Sequence, residues 1–484
     1  MSSNRLADNN HAEADTLKDM LPLLLVACRA EPTDPAPASS DFTSRWEPAD
    51  VVVVVIVDTM ARQHMGRWQD EANTTPSIDA FFDQSAVLAN TLTVRGLTST
   101  ATASVLTGVW PRTHRVRNNS GWPTAAVPTL IERFNDAGYH TVGLAANACQ
   151  FIHESTDAEV CVWSQEVEGI EQVLGIGHDE RDRMLLASFI EQLDARPADT
   201  PLFVWVHLMN PHDPYTRTEP WYSEFHPDPY TGDLDPEDPD QLDALILSEE
   251  PIDAADLAEI HAVYRSQLRE TDAVFGSILE ALSSRGLSEE AVVVLGVDHG
   301  ESLGARNRYL YHGCSVTNEV NAVPFAISAP GRLPAAWLET WTSQVDIAPT
   351  LADVAGIGWT GPREGETLVE GILDGALPER TLFAEGGSET GIVLSGGYKY
   401  IRDEVQGNNN CPPYSIDQPY PGQLDALYHL PTDPGEATDL TAAEPEVLAA
   451  LRSELCGWVL EETWVIPSSD GPNRLVQTCQ NAGW

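Results

Sequence analysis

Val51-Val52-Val53-Val54-Val55-Ile56-Val57 runs directly into Asp58-Thr59-Met60. An unbroken β-branched run of strand length has no polar face, so it reads as a strand buried on both sides at the centre of a parallel sheet. Asp58 then stands at the carboxyl end of that strand. Similar apolar runs recur at His140–Ala146, Pro201–Leu208, Ala291–Val297 and Ala322–Ser328. Helical patterns separate them, at Thr75–Ala86, Ala126–Ala137, Glu180–Leu193, Ala255–Ser284 and Val345–Ala355. Strands alternating with amphipathic helices predict an α/β fold, with a mostly parallel central sheet and helices on both faces. In such sheets the reactive groups gather at the carboxyl ends of the strands.

Outward from this core the pattern changes. Phe225–Pro251 is acidic and Pro-rich and reads as a surface excursion. Beyond about Gly358 come short strands at Thr381–Glu385, Gly391–Leu394, Tyr398–Arg402 and Leu427–Leu430, then a helix at Pro445–Leu460. They predict a small α+β C-terminal subdomain. Four segments follow: a leader over 1–28, a Pro/Ser/Asp-rich tether over 29–47, the main domain over 48–357 and the subdomain over 358–484.

Hydrophobic residues make up 42% of the 484 residues, with 13 Trp and 12 Tyr, which is ample for a packed core. Asp and Glu number 74 against 27 Lys and Arg, a formal charge of −47. That surface repels nucleic acid and anionic lipid, so no nucleic-acid partner is expected. Lys18 and Lys399 are the only lysines.

Leu21–Ala27 runs into Cys28, and Leu25-Val26-Ala27-Cys28 resembles the lipobox of bacterial lipoproteins. That resemblance implies export to the cell envelope, periplasmic or outer-surface, with a signal peptide and a lipid anchor on Cys28. No other run approaches the ~20 apolar residues of a membrane span, so membrane contact is expected through the anchor alone. Cys28 aside, six cysteines remain: Cys149, Cys161, Cys314, Cys411, Cys456 and Cys479. An even number suits disulfides in an oxidising compartment. Cys149 and Cys161 are the natural local pair, and the other partners stay open.

Two apolar strands end in chemistry. Asp58 follows Val51–Val57, and Asp298-His299-Gly300 follows Ala291–Val297. Two carboxylates and an imidazole delivered to one sheet edge suit one divalent cation, Ca²⁺, Mn²⁺ or Mg²⁺. Each aspartate alone reads as well as a helix cap or turn residue. The combination is the more specific signal.

Asp58-Thr59-Met60 with His64-Met65-Gly66 and Thr75-Pro76-Ser77-Ile78-Asp79 resembles the opening of the sulfatase family of the alkaline phosphatase superfamily. Ser104-Val105-Leu106-Thr107-Gly108 with Trp110-Pro111-Arg112-Thr113-His114 is similar to the segment after that family's nucleophile. Pro211-His212-Asp213-Pro214-Tyr215 resembles its histidine loop, and Asp298-His299-Gly300-Glu301-Ser302-Leu303-Gly304 its second metal motif. Val345-Asp346-Ile347-Ala348-Pro349-Thr350-Leu351 and Asp433-Pro434-Gly435-Glu436 complete a series in family order.

The resemblance implies an alkaline-phosphatase-like fold and an ester hydrolase. It implies a metal held by Asp58, Thr98, Asp298 and His299, with Thr98 at the nucleophile position. Many members convert a Cys or Ser there to formylglycine. Thr98 is neither, and Ser99-Thr100-Ala101-Thr102 lacks the Pro and Arg of the modification signal, so no formylglycine is expected. A threonine hydroxyl needs a cation beside it to act as a nucleophile. Thr98 also opens a predicted helix over Ser99–Thr107, where backbone N–H groups attract anionic oxygens and where a Thr otherwise serves as a cap. His212 and His312 stand at family positions for binding ester oxygens and protonating the leaving group. His114 and Arg306 are candidate substrate contacts, with Arg308 and Arg95 as further cations, while His64 and His207 read as structural.

The expected reaction is hydrolysis of a sulfate, phosphate or phosphonate ester of a small molecule, glycan or lipid headgroup. A phosphodiesterase, or a phosphoglycerol or phosphoethanolamine transferase, would use the same site. A non-catalytic metal-binding surface protein is the alternative from a different class.

Overall fold

The structure, a computed structural model, describes residues 41–482 except 69–72, 118, 120–122, 125, 146–159, 164–177, 198, 227–229, 247–251, 305–309, 314–315, 387–389, 405–424 and 462–473. The expectations for Cys28, Cys149, Cys314, Cys411, Arg306 and Arg308 lie outside the described residues, as does the side chain of Cys161.

The Val51–Val57 run forms β1, with every residue 0% exposed. The main sheet continues with β2 (Ala86–Leu92), β3 (His140–Ala145), β4 (Val160–Trp163), β5 (Leu202–Leu208) and β6 (Ala291–Val297). A two-stranded ribbon of β7 (Ser302–Leu303) and β8 (Leu310–Tyr311) leaves the sheet after β6. The sheet resumes with β9 (Ala322–Ser328), β10 (Ala336–Leu338) and β11 (Thr342–Ser343). Its order is β10-β2-β9-β6-β1-β5-β3-β4, with β11 also on β2. β1 lies between β5 and β6, parallel to both, in a register that aligns Val57 with Leu208 and with Val297. The three strands therefore end at one level, and whatever follows them shares one edge.

Two features of the sheet differ from the sequence reading. Ala322–Ser328 is a strand as expected, but it runs antiparallel to both β2 and β6. Ala86, read as the end of a helix, begins β2, and the helix before it is only Pro76–Phe82. Strand β2 carries a half-buried Asn90 and a buried Thr91 in place of a clean apolar run, and the Thr91 hydroxyl is satisfied by Thr342 across the sheet at 3.0 Å.

The helices that matter for the site are α1 (Thr98–Thr107), α2 (His178–Ala195), α3 (Ala254–Ser283) and α4 (Ile347–Ala355). The residues after 358 add a four-stranded antiparallel sheet, β12 (Leu382–Glu385), β13 (Thr390–Ser395), β14 (Tyr398–Asp403) and β15 (Asp425–His429). One face packs Val393, Tyr400 and Leu427 against Leu448, Leu451, Leu455 and Trp458 of α5 (Pro445–Leu460). The other packs Ile392, Ile401 and Tyr428 against Leu92 and Val316 of the main domain. A disulfide joins Cys456 on α5 to Cys479 on the helix Arg474–Ala482. No helix among the described residues is long and apolar enough to cross a membrane.

Candidate active site

Strand ends supply the first donors. Asp58 leaves β1 with its N–H bonded to Leu208 O at 2.9 Å, and Asp298 leaves β6 with its N–H on Val57 O at 3.3 Å. The chain then turns sharply at Thr59, whose φ is 52°. Helix α3 holds this turn through Tyr264, whose hydroxyl donates to Thr59 O and accepts from Ala61 N–H, both at 2.7 Å. Asp298 Oδ1 accepts from Thr59 N–H and from His299 N–H, at 3.2 and 2.6 Å. That leaves Oδ2 without a hydrogen-bond partner, as is Asp58 Oδ1. Both side chains are 0% exposed.

Unpaired carboxylate oxygens in a fully buried place are what a cation donor set looks like before the ion is counted. His299 completes it. Its Nδ1 is 3.1 Å from Gly300 O and gives its proton there, which leaves a lone pair on Nε2. That Nε2 lies 3.5 Å from Asp298 Oδ2 and 3.8 Å from Asp58 Oδ1. Burial pushes Asp58 well above the usual carboxylate range, and the neighbouring Asp298 pushes it further. Burial acts the same way on Asp298, but His299 and His207 beside it bring it below its ordinary value. Burial lowers His299 to about 4, so its ring is neutral and free to ligate.

Thr98 faces these groups. It is the first residue of α1, and Leu97, not Thr98, is the helix cap. The Thr98 hydroxyl caps nothing; its Oγ1 lies 3.4 Å from Asp58 Oδ2 and 3.4 Å from His299 Nε2. The segment before it is anchored to the same strand end, with Thr93 Oγ1 donating to Asp298 O at 2.7 Å.

His207 is a member of this site that the sequence hid. It is the penultimate residue of β5, paired with Ile56 of β1. A ring nitrogen of His207 and carboxylate oxygens of Asp58 and Asp298 lie within 4.8 Å of one another. Neither ring nitrogen has a hydrogen-bond partner. Burial alone would lower His207, but the carboxylates of Asp298 and Asp58 reverse this and raise it. An imidazole inside an apolar strand reads as core; only the register of β1, β5 and β6 reveals its neighbours.

The loop after β5 brings His212 and Asp213. Asp182 of α2 accepts from Met209 and Asn210 N–H at 2.8 and 2.9 Å, and Gln267 of α3 holds the Asn210 side chain at 2.9 Å. His312 follows β8, and its ring centroid is 4.6 Å from that of His299 and 5.0 Å from that of His212. The structure thus brings together His212 and His312, the two histidines expected to bind ester oxygens and protonate a leaving group, beside His299. His212 gives its Nδ1 proton to Asp213 O at 2.7 Å, and His312 gives its own to Glu301 at 3.1 Å. Burial also holds His312 down at about 3.

His114 is not a substrate contact. It is 0% exposed, accepts from Val116 N–H at 3.0 Å and reaches Ser104 Oγ of α1 at 2.9 Å, so one nitrogen holds its own turn and the other ties that turn to α1. Arg95 lies with Arg117 and Glu385 and is lowered by burial. His64 packs edge-on against His261 and Tyr264.

An α/β protein with a cluster of carboxylates and imidazoles that could hold a cation, and a hydroxyl facing it at the ends of parallel strands, is the class these features define. The profile of the Sulfatase family matches residues 50–357. Choline-sulfatase of Rhizobium meliloti is 23% identical over 442 residues, covering 80% of this chain and 82% of its own length. A Delta 4,5-hexuronate-2-O-sulfatase of Bacteroides thetaiotaomicron is 24% identical, covering 84% and 88%. The crystal structure of the phosphonate monoester hydrolase of Agrobacterium radiobacter superposes with a TM-score of 0.65 at 20% identity, covering 88% of this chain and 99% of that one. The chain belongs to the sulfatase family of the alkaline phosphatase superfamily, and with it to the enzymes that act on sulfuric ester bonds.

Proposed function

We propose that the protein hydrolyses a sulfate ester, or a phosphate or phosphonate ester of the same shape, with unmodified Thr98 as nucleophile. The observation that carries this reading is the Thr98 hydroxyl, 3.4 Å from both Asp58 Oδ2 and His299 Nε2, at the first turn of a helix it does not cap. The residues suited to hold the divalent cation are Asp58, Asp298 and His299, with Thr98 and His207 beside them. Such an ion acts as a Lewis acid, stabilising negative charge on the ester oxygens and lowering the hydroxyl's pKa. Thr98 Oγ1 attacks the sulfur or phosphorus in line with the leaving oxygen, and its proton departs toward Asp58 Oδ2. The leaving oxygen takes a proton from water and departs as an alcohol. A second water then attacks the Thr98 ester, releases the inorganic anion and restores the hydroxyl.

The relatives named for choline and hexuronate sulfates favour a sulfate monoester of a small alcohol or sugar as the substrate class. The Cys456–Cys479 disulfide supports export to an oxidising compartment, in keeping with an anchor at Cys28. The test is turnover of nitrophenyl sulfate, a nitrophenyl phosphodiester and a phenyl phosphonate ester by wild type, Thr98→Ala and Thr98→Ser with Mn²⁺, Ca²⁺ or Mg²⁺. Loss in Thr98→Ala with partial activity in Thr98→Ser is expected; full activity in Thr98→Ala overturns the nucleophile.

A further inference from the structure

A cavity of about 400 Å³ opens where Arg62, Asn90 and the segment between β10 and β11 meet the β13–β14 turn of the C-terminal sheet. That volume suits a small ligand and not merely a few waters. None of Asp58, Thr98, His207, Asp298 and His299 lines it.

The polar groups of the cavity are held in place and only partly used. Arg62 Nη1 donates to Ala89 O at 3.0 Å and to Asn90 Oδ1, and Asn90 Nδ2 donates to Glu339 O at 2.7 Å. This relay fixes the guanidinium, whose Nε and Nη2 have no hydrogen-bond partner among the described residues. Burial brings Arg62 down to about 10, with Glu436 acting against the fall. Donors so fixed, and short of solvent, favour an incoming oxygen acceptor. The exposed side chains of Glu339 and Glu379 line the same cavity and have no partner among the described residues. Arg380 is already paired with Asp346. The free groups are therefore one guanidinium and two carboxylates, which asks for a ligand that accepts and donates at once. A hydroxyl does both.

An apolar wall completes the cavity. Arg62 Cζ lies 5.9 Å from the ring centroid of Trp341 and 6.0 Å from that of Trp68. Trp68 in turn is 5.5 Å from Trp337, which stands 40% exposed on the edge strand β10. Aromatic faces thus continue from the cavity to the sheet edge. A sugar ring carries hydroxyls at its rim and C–H groups on its faces, so it matches polar groups beside an aromatic wall. A wholly apolar ligand would strand Arg62 and the glutamates. A bare anion would meet both carboxylates and leave the tryptophans without a task.

We propose that this cavity binds a saccharide at a place separate from the Thr98 cluster. One ring packs on Trp341 with its hydroxyls on Arg62, Glu339 and Glu379, and further rings run past Trp68 toward Trp337. This goes beyond the Thr98 mechanism and does not depend on it, because it concerns binding and not turnover.

The test is calorimetric titration of the full chain with disaccharides and hexasaccharides of cellulose, chitin and hyaluronan, which carry no sulfate or phosphate ester for the Thr98 site. Wild type is expected to bind at least one hexasaccharide with a Kd of about 1 mM or tighter. Trp341→Ala is expected to weaken that binding about tenfold or more. Glu339→Ala/Glu379→Ala, at exposed positions that spare the core, is expected to weaken it as well. Trp337→Ala should weaken the hexasaccharide more than the disaccharide, and Thr98→Ala should bind both as wild type does. No binding by any of these sugars overturns the proposal, as does wild-type affinity in both Trp341→Ala and the double glutamate variant. Binding lost in Thr98→Ala would place the sugar at the Thr98 site and overturn it too. A wild type that binds no sugar but self-associates, and is made monomeric by Trp337→Ala, would mark β10 as a protein-pairing edge instead. Each of these results leaves the nucleophile to its own activity test.

Discussion

Lys399 Nζ lies 2.6 Å from Glu436 Oε1, with both side chains buried, one on β14 and the other in the turn after β15. The same ammonium donates to Val316 O at 2.6 Å and Asn318 Oδ1 at 3.0 Å, and Glu436 Oε2 accepts from Asn318 N–H at 2.9 Å. The pair thus ties the C-terminal sheet to the segment between His312 and β9. Removing one partner of a buried pair strands the other charge, at a cost of about 3–5 kcal/mol, whereas replacing both is far milder. Lys399→Met is expected to lose stability on that scale in urea unfolding, and Lys399→Met/Glu436→Leu to recover most of it. Equal losses in the two variants would contradict the stranded-charge account.

The Cys456–Cys479 bond closes a loop with a sequence separation of 23 between two helices of the C-terminal subdomain. Loop closure of that size restricts the unfolded chain by about 3 kcal/mol. Cys456→Ser/Cys479→Ser should melt several degrees lower than wild type, and reductant should lower the wild type while leaving the variant unmoved. A wild type indifferent to reductant would rule the bond out as a stabiliser.

What could be read in the sequence follows from burial. Val51–Val57 and Ala291–Val297 are strands with the expected bounds because each is buried on both faces, which forbids any polar residue in the run. Asp58, Asp298 and His299 then fall together because β1 and β6 are parallel neighbours in register. The direction of β9 was not legible, since nothing in Ala322–Ser328 itself records which way its neighbours run. Strand β2 escaped because its polar Asn90-Thr91 is satisfied by distant residues, Asn90 Nδ2 on Glu339 O and Thr91 on Thr342. His207 escaped for the same reason: its meaning lies in strand register. The orientations of the His212 and His312 rings depend on a loop carbonyl and on Glu301. A linear pattern holds none of these.

His114 makes a pH prediction. Burial, and then the charge of Arg117, lower it from 6.5 to about 3 in the fold. The unfolded chain therefore binds a proton that the native state refuses between those two values. Stability from this group is complete above about pH 6.5 and is lost progressively as the pH falls toward 3. His114→Gln, which keeps polar atoms but cannot titrate in this range, should start less stable at neutral pH and lose less on acidification. The difference in unfolding free energy between wild type and variant, followed from pH 7.5 to about 4.5, should shrink; a constant difference would show that His114 is not the titrating group.

Gly300 makes the metal motif sensitive to a single methyl. A Cβ there would sit 2.0 Å from Glu319 O, in a place where Gly300 N–H already bonds to Val320 O at 2.9 Å. Backbone on that side cannot yield as a flexible side chain would, so Gly300→Ala must push the 299–301 segment away from Glu319 and Val320, in the short helix just before β9. The stability cost expected for such overpacking is about 1–3 kcal/mol. The larger effect falls on the site, because His299 and Glu301 flank the glycine and orient Nε2 of His299 and of His312. Gly300→Ala is therefore expected to weaken divalent-cation binding at least tenfold in a direct titration while the chain stays folded at low temperature. Binding at wild-type affinity would mean that the motif tolerates the displacement and that its geometry is not what holds the ion.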